Sequence, residues 1–188
     1  MTAATTPGAN AREDELLVVR CQLGERPAFD ELIDRWHRPL WKYVRRVTGD
    51  DDAAHDAVQD VWLRVLRGIA RLRDGSKLRA WLFGIAHRVV MDRLRSQYAS
   101  PSVDGVDMTT IAAEEPSADL EEEIASLQHE MTRLPVVERE VLTLFYLREL
   151  SLSEVAEALD IPVGTVKSRL FRARQLLRHE LESKERHV

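Results

Sequence analysis

The stretch Ser151 to Arg174, SLSEVAEALDIPVGTVKSRLFRAR, predicts two short helices that are separated by a sharp turn. Ser151 and Glu154 have the spacing of a capping box, which predicts a helix that starts one residue after Ser151. Pro162 ends this helix because proline lacks an amide hydrogen and disfavours helical backbone at the residue before it. A second helix is predicted to start near Val163. The rest of the chain is interpreted outward from this helical pair.

The second helix combines a buried seam with a basic outer face. At about 100° per residue, its apolar seam consists of Val166, Leu170, Ala173 and Leu177. Five basic residues and no acidic residue lie between Gly164 and Arg178. Such a helix suits the major groove of DNA, where long cations reach guanine or phosphate and Phe171 can contact a thymine methyl group. The alternative is a hairpin in a helical bundle whose outer face is only solvated.

Composition indicates a folded, all-α protein. A chain of 188 residues can form one large domain or two small ones. It contains only eight glycines and seven prolines, and apolar residues recur at helical spacing. The single Cys21 cannot form an internal disulfide, so we expect a cytoplasmic protein in which Cys21 packs in the core. No apolar run is long enough to cross a membrane, and the polar opening residues predict a tail.

The net charge of −5 is distributed unevenly along the chain. Residues 101–130 contain nine acidic residues and no lysine or arginine, whereas the segments on either side carry a small excess of lysine and arginine. This acidic stretch predicts a flexible linker, which is either a solvated spacer or a segment suited to a positively charged channel of a partner. The expected organisation is a disordered tail (1–11), an N-terminal helical domain (12–100), a flexible acidic linker (101–119), a C-terminal domain with the helical pair (120–182) and a tail (183–188).

Four helices are predicted in the first domain. The first runs from Glu13 to Leu23, the second starts at Pro27 and has a kink at Pro39, the third is capped by residues 50–52, and the fourth runs from about Lys77 to Ser96. A mobile basic loop, residues 71–77, separates the third and fourth helices; it can hold a base flipped from a melted duplex, or only connect the helices. All four tryptophans lie in this domain, and we favour core packing over stacking on unpaired bases: Trp36, Trp41, Trp62 and Trp81.

Two faces of these helices are predicted to point outward. The outer face of the third helix carries Asp56, Gln59, Asp60, Leu63 and Arg64. The outer face of the fourth helix carries His87, Arg88, Met91, Asp92 and Arg95.

Three stretches together resemble the small, two-domain sigma factors of the extracytoplasmic-function (ECF) type. They are AAHDAVQDVWLRVL at 53–66, RAWLFGIAHRVVMDRLR at 79–95 and LSLSEVAEALDIPVGTVKSRLFRAR at 150–174. The resemblance implies a two-domain, all-α subunit that binds the clamp and flap regions of core RNA polymerase, recognises two promoter elements and helps to open the DNA. It also implies an anti-sigma factor as a partner, and neither a cofactor nor a small-molecule substrate.

The resemblance also implies roles for individual residues. Those expected to bind the core polymerase are Asp56, Gln59, Asp60, Leu63 and Arg64. Those expected at the minus-ten element are Arg71, Arg73, Ser76, Lys77, Arg88, Met91, Asp92 and Arg95. Those expected at the minus-thirty-five element, on the second helix of a helix-turn-helix, are Thr165, Lys167, Ser168, Arg169, Phe171, Arg172 and Gln175. The chain departs from the family pattern at His55, where an acid is usual, at Arg88, where Asn is usual, and at Asp160, where a turn glycine is common.

Other classes of function predict different features. An enzyme needs a cluster of reactive side chains, but the six histidines are scattered and there is no glycine-rich phosphate loop. A zinc site built from His55 and His87 with carboxylates is one remaining alternative. A stand-alone helix-turn-helix regulator would bind DNA without polymerase. This alternative leaves unexplained the two stretches of the first domain that resemble the ECF family. For a pure interaction protein, replacing Lys167 and Arg172 by Ala would not change DNA binding.

Overall fold

The structure, a computed structural model, describes residues 7–99 and 131–185, with side chains for residues 12–96 and 131–179. These residues form helices and turns, with no strand among them, which confirms the all-α prediction for this part of the chain. The N-terminal domain contains α1 (Pro7–Gln22), α2 (Arg26–Thr48), α3 (Asp51–Gly68) and α4 (Leu78–Ala99). The C-terminal domain contains α5 (Val136–Leu142), α6 (Leu152–Leu159) and α7 (Val163–Glu185).

The helix α6, which spans Leu152–Leu159, packs beside α7 and forms the helix-turn-helix with it.

The first helix begins earlier than the sequence predicted. It starts at Pro7 rather than at Glu13, so its first turn lies within the predicted tail, whereas residues 1–6 of that tail lie outside the described part. It ends at Gln22, close to the predicted Leu23. Gly24 follows with a φ of +80°, a left-handed backbone that favours glycine. Cys21 on this helix is buried in the core, as predicted.

The next two helices agree with the predicted pattern. In α2, Pro27 lies in the first turn, and the helix continues through Pro39. Asp50 caps α3, because its carboxylate accepts a hydrogen bond from the Ala53 amide at 3.0 Å. The predicted inward residues of α3 are all buried: Ala54, Ala57, Val58, Val61, Val65 and Ile69. Trp36 and Trp62 are buried, whereas Trp41 and Trp81 are only partly buried against the core.

The helix-turn-helix forms as the sequence predicted. Ser151 and Glu154 make both hydrogen bonds of a capping box at the start of α6. Asp160 ends α6 with a φ of 52°, which is the left-handed turn conformation. Of the predicted seam of α7, Val166, Leu170 and Ala173 are buried, and Leu177 is partly buried.

The two domains pack directly against each other, which the sequence did not predict. The main contact runs between α4 and α6, and the buried apolar side chains of both domains form one continuous cluster. The predicted acidic linker, residues 101–119, and the predicted start of the C-terminal domain at 120 lie outside the described residues. Within the described part, none of the helices combines the length and apolar character needed to span a membrane.

Candidate nucleic-acid and polymerase interfaces

The basic face of α7 is open to solvent. Phe171 is 59% exposed, so its ring is available for an apolar contact. The predicted minus-thirty-five residues that are exposed are Lys167, Ser168, Phe171, Arg172 and Gln175. Thr165 and Arg169 are half-buried at the edges of this face. The structure thus brings the predicted set together on one helix.

Arg172 has a partner that sequence reasoning missed. Its Nε atom lies 3.4 Å from Oε1 of Glu138 on α5, and the Arg172 side chain is 71% exposed whereas the Glu138 side chain is 7% exposed. An exposed guanidinium at this distance contributes little to stability. Most of the Arg172 side chain therefore stays open to solvent.

The outer face of α3 presents a mixture of acidic, amide and apolar groups. Asp56, Gln59 and Leu63 are exposed, and within the described part Asp56 and Gln59 make no side-chain hydrogen bond or ion pair. Asp60 is half-buried and accepts a hydrogen bond from Arg93 of α4 at 2.6 Å. Four of the five predicted polymerase-binding residues are therefore exposed, and Asp60 also connects two helices.

A second ion pair connects α3 with the predicted minus-ten surface. Arg64 donates to Asp92 at 3.2 Å, and Arg95 donates to the other carboxylate oxygen of Asp92 at 2.8 Å. Asp92 therefore has two cationic partners on the surface. This arrangement positions both arginines and reduces the repulsion that Asp92 would exert on a phosphate backbone.

The side of α4 that faces the C-terminal domain forms one wall of a cleft. At about 100° per residue, Lys77, Trp81, Gly84, Arg88 and Met91 follow one line along the start and body of this helix. The cleft has a volume of about 420 Å³. Its lining combines basic and aromatic groups with two carboxylates, that of Asp74 in the N-terminal domain and that of Glu157 on α6. Trp81 was predicted inside the core, but it is half-buried because it forms part of this wall.

The basic segment before α4 is more ordered than the mobile loop predicted from sequence. It contains two short 3₁₀ turns, Ile69–Arg71 and Gly75–Lys77. The Asp74 carboxylate accepts hydrogen bonds from the Ser76 hydroxyl and amide, which lower the pKa of Asp74 below its usual value. Gln22 of α1 donates to the carbonyl oxygen of Leu72 at 2.8 Å and to that of Ile69 at 3.0 Å.

These contacts hold the backbone of the basic segment in place. Four residues of the predicted minus-ten set remain exposed in it: Arg71, Arg73, Ser76 and Lys77. Of the set on α4, Arg88, Asp92 and Arg95 are exposed and Met91 is half-buried. The structure thus places the predicted residues along one continuous segment.

His87 does not point into solvent as predicted. Its Nδ1 atom lies 2.7 Å from Oε1 of Glu140, a buried residue of α5. The Tyr43 hydroxyl donates a hydrogen bond to the same carboxylate oxygen. Burial, reinforced by this carboxylate, raises the pKa of Tyr43 well above its usual value. The prediction for His87 was wrong because its partner belongs to the other domain, which the helical pattern of α4 does not report.

The zinc alternative has no support in the described geometry. The ring of His55 lies 5.7 Å from the ring of Trp41, whereas His87 is hydrogen-bonded to Glu140. Among the described residues, no three histidine, cysteine or acidic side chains are grouped so that they could hold a metal ion.

Comparisons with known proteins match both domains to one family. The family model for sigma-70 region 2 matches residues 32–99, and the model for sigma-70 region 4 matches residues 124–177. The first match includes most of the N-terminal helical domain, and the second includes the helix-turn-helix.

Whole proteins show the same similarity. The ECF RNA polymerase sigma factor SigM of Mycobacterium tuberculosis (strain H37Rv) is 34% identical over 170 residues, which cover 90% of this chain and 85% of SigM. SigW of Bacillus subtilis, also an ECF RNA polymerase sigma factor, is 31% identical, and the match covers 84% of this chain and 91% of SigW. The ECF RNA polymerase sigma-E factor of Escherichia coli K12 is 31% identical, and the match covers 90% of this chain and 94% of the sigma-E factor.

Solved structures share the fold. The sigma factor RpoE from Bartonella quintana, in complex with the anti-sigma factor NepR, superposes with a TM-score of 0.71 at 25% identity, covering 82% of this chain and 96% of RpoE. CnrH, in complex with the cytosolic domain of CnrY, has a TM-score of 0.69 at 24% identity and covers 90% of this chain and 97% of CnrH. The CnrH likeness shows the fold alone.

A helical domain that matches sigma-70 region 2, together with a helix-turn-helix domain that matches region 4, defines a sigma-70-type transcription factor. The chain belongs to the ECF RNA polymerase sigma factors. Its function is to bind core RNA polymerase and promoter DNA in transcription initiation, and a stand-alone regulator is not favoured.

Proposed function

We propose that three separate surfaces divide this function between them. The outer face of α3 binds core polymerase, the line of residues from the 3₁₀ turns into α4 binds the minus-ten element, and the outer face of α7 binds the minus-thirty-five element. The observation that carries the proposal is the exposed face of α7, where Lys167, Phe171 and Arg172 lie together on the second helix of a helix-turn-helix.

The chemistry of α7 supports a role in reading base edges. Lys167 and Arg172 can donate to guanine or phosphate, Gln175 can pair with adenine, and Phe171 offers an apolar contact for a thymine methyl group. Thr165 and Ser168 add hydroxyl groups near the start of the helix, where the positive end of the helix dipole favours phosphate. Arg169 completes the basic surface.

The chemistry of the minus-ten surface suits a distorted duplex. Arg71, Arg73 and Lys77 are cations for the phosphate backbone, and Ser76 is a neutral donor beside them. On α4, Arg88 and Arg95 continue the basic line, and Met91 provides an adaptable apolar contact. Asp92 acts through Arg64 and Arg95, whose positions it sets.

The face of α3 is better suited to a protein than to DNA. The carboxylate of Asp56 would be repelled by phosphate, whereas an exposed Leu63 favours an apolar protein contact. Gln59 can donate and accept hydrogen bonds in the same interface, and Asp60 and Arg64 lie at its edge. We assign this face to the clamp of core polymerase and the C-terminal domain to the flap.

A double variant tests the assignment of α3. Asp56→Ala combined with Gln59→Ala should weaken binding to core polymerase at least about tenfold, because an interface contact of this kind contributes about 1 kcal/mol or more. Asp60 is less informative, because its loss also removes a partner from Arg93. Asp34→Ala removes an exposed carboxylate from α2 and serves as the matched control. Equal polymerase binding by the double variant and the control would contradict the assignment.

We also propose an anti-sigma factor as a regulatory partner. The relevant likeness is to Bartonella quintana RpoE, whose structure is a complex with the anti-sigma factor NepR. The chain acts where core polymerase is found, in the cytoplasm, and it works by binding rather than by catalysis. Copurification of the full chain with a second protein that suppresses its transcription in vitro, and that is released on activation, tests this proposal.

A further inference from the structure

The basic segment between α3 and α4, residues 69–77, is anchored at every third residue. Ile69 is 2% exposed, and Leu78, directly after the segment, is 0% exposed. Between them, Leu72 packs partly against the core and Gly75 is half-buried. The residues between these anchors are exposed: Ala70, Arg71, Arg73, Asp74, Ser76 and Lys77. A repeat of three residues is that of 3₁₀ geometry, which puts one side of the segment on the protein and the other side in solvent.

Gln22 at the end of α1 holds two of these anchors through one amide group. Its Nε2 atom donates to the Leu72 carbonyl oxygen at 2.8 Å and to the Ile69 carbonyl oxygen at 3.0 Å, so each of its two hydrogens has an acceptor. The Ile69 carbonyl oxygen also accepts a hydrogen bond from the Leu72 amide at 3.1 Å, which closes the first turn. Gln22 therefore joins both ends of this turn to a helix that lies much earlier in the chain.

The second turn, Gly75–Lys77, lies directly on the backbone of α1. A Cβ atom at Gly75 would lie 2.7 Å from the Glu15 Cα atom, a distance that would require the backbone to shift. The turn comes this close because glycine has no side chain. Glu15 and Gln22 are seven residues apart, so they lie on the same side of α1 and about 10 Å apart along its axis. One side of α1 thus contacts both turns.

The cations of the basic segment stay available in this arrangement. The hydrogen bonds from Gln22 and the close approach of the second turn involve carbonyl oxygens and a glycine, and they leave Arg71 and Arg73 exposed. Lys77 donates instead to Glu157 of α6 at 3.0 Å. A backbone that is already fixed loses little conformational entropy when it binds a ligand, whereas a mobile loop loses much more.

We propose that α1 presets the basic segment for the unpaired strand of the minus-ten element, and that Gln22 is the positioning residue for Arg71 and Arg73. This inference rests on the proposed role of the segment at the minus-ten element. Gln22 acts without touching the DNA. It fixes the carbonyl oxygens on either side of Arg71, and thereby the directions in which both arginine side chains leave the backbone.

Hydrogen exchange of the free full chain tests the positioning itself. Gln22→Met keeps the length of the side chain but removes both donors, so the Leu72 and Lys77 amides should exchange at least about fivefold faster, with α2 and α3 unchanged. Gly75→Ala should have the same effect, because its Cβ atom displaces the second turn from Glu15. Gln22→Lys supplies an ammonium group with three donors and should restore slow exchange. A Gln22→Met chain that exchanges as slowly as the unmodified chain would overturn the proposal.

Binding of a single-stranded oligonucleotide by the polymerase holoenzyme tests the consequence. The oligonucleotide carries the minus-ten sequence of a mapped promoter. We expect Gln22→Met to weaken binding at least about fivefold with an unchanged dependence on salt, because the same cations still meet the same phosphates. Arg71→Ala combined with Arg73→Ala should weaken binding and also reduce the salt slope by about 1.4, at about 0.7 for each phosphate contact of a single strand. Leu16→Ala removes an exposed side chain from the outer side of α1 and is the matched control.

These variants separate the inference from the function on which it rests. If the double arginine variant binds the oligonucleotide as tightly as the unmodified chain, the segment has no role at the minus-ten element, and both the proposed function of this surface and the inference fail. If the double variant binds weakly but Gln22→Met binds as tightly as Leu16→Ala, the segment binds DNA without positioning by α1, and only the inference is overturned. A reduced salt slope for Gln22→Met would also overturn it, because phosphate contacts themselves would then be lost.

Discussion

The exposed Arg172 side chain on α7 contacts Glu138 and can also reach DNA. It lies 3.4 Å from the buried Glu138, yet most of its surface is open to solvent. In a protein–DNA complex the guanidinium can turn toward guanine or phosphate with little loss of stability. The helical pattern predicted its exposed position, but not its partner, because Glu138 lies on a different helix.

Arg172→Ala should weaken binding of the polymerase holoenzyme to promoter DNA by about 1–3 kcal/mol, because it removes a base-edge or phosphate contact. The measurement is a promoter titration at fixed salt. Arg38→Ala removes an exposed arginine from α2 and controls for the loss of net charge. Equal weakening by both variants would show that only the overall charge matters at this position.

Tyr43→Phe tests the polar cluster between the domains. The phenylalanine ring keeps the packing against Phe83, whose ring lies 5.4 Å from that of Tyr43, but it removes the hydrogen bond to the buried Glu140. A lost hydrogen bond to a charged group should lower the free energy of unfolding by about 1.5–3 kcal/mol. Urea denaturation of the full chain measures this change.

Tyr146→Phe is the matched control for that measurement. The Tyr146 hydroxyl accepts a hydrogen bond from Arg174 at 3.3 Å, and its side chain is exposed. Its loss should change the free energy of unfolding by less than about 0.5 kcal/mol. A Tyr43→Phe variant that is as stable as this control would show that the buried polar contacts do not stabilise the packing of the two domains.

The turn of the helix-turn-helix depends on the backbone conformation of one residue, Asp160. Asp160 has a φ of 52° at the end of α6, a left-handed conformation that costs free energy for residues with a Cβ atom. Aspartate tolerates this conformation better than most residues. Glycine, which has no Cβ atom, would remove the remaining cost.

Asp160→Gly should therefore raise the free energy of unfolding of the full chain by up to about 1 kcal/mol, with promoter binding unchanged. Asp160→Ala keeps the Cβ atom and is the matched control, which should show no such gain. Thermal denaturation compares the three chains. A gain in both variants would mean that the aspartate charge, and not the backbone conformation, carries the cost.

The sequence predicted best those elements that depend on residues close together in the chain. Ser151 and Glu154 are three residues apart, and the capping box that they predict is present. The inward stripe of α3 and the Asp50 cap likewise depend on neighbouring residues. The start of α1 at Pro7 was missed because the polar residues before Glu13 carry no apolar periodicity.

At the scale of the whole molecule, the packing of the two domains could not be predicted from the sequence. Lys77 and Glu157 are 80 residues apart, and neither position has a feature that indicates its partner. Glu140 looks like an ordinary surface acid on a short helix, but it is buried by residues of the other domain. The candidate surfaces on α3 and α7 were predictable, because each depends on a single helix and on the family resemblance.

As an ECF sigma factor, this chain directs core RNA polymerase to promoters. The most direct test is transcription in vitro with purified full chain, core polymerase and a library of promoter fragments, with the transcript starts mapped. Specific start sites, preceded by common minus-ten and minus-thirty-five sequences, should appear only when the chain is present. Transcription from them should decline when Asp56 and Gln59 are both replaced by Ala. No initiation, together with retention of particular duplexes by the chain alone, would contradict this function and identify a stand-alone DNA-binding regulator.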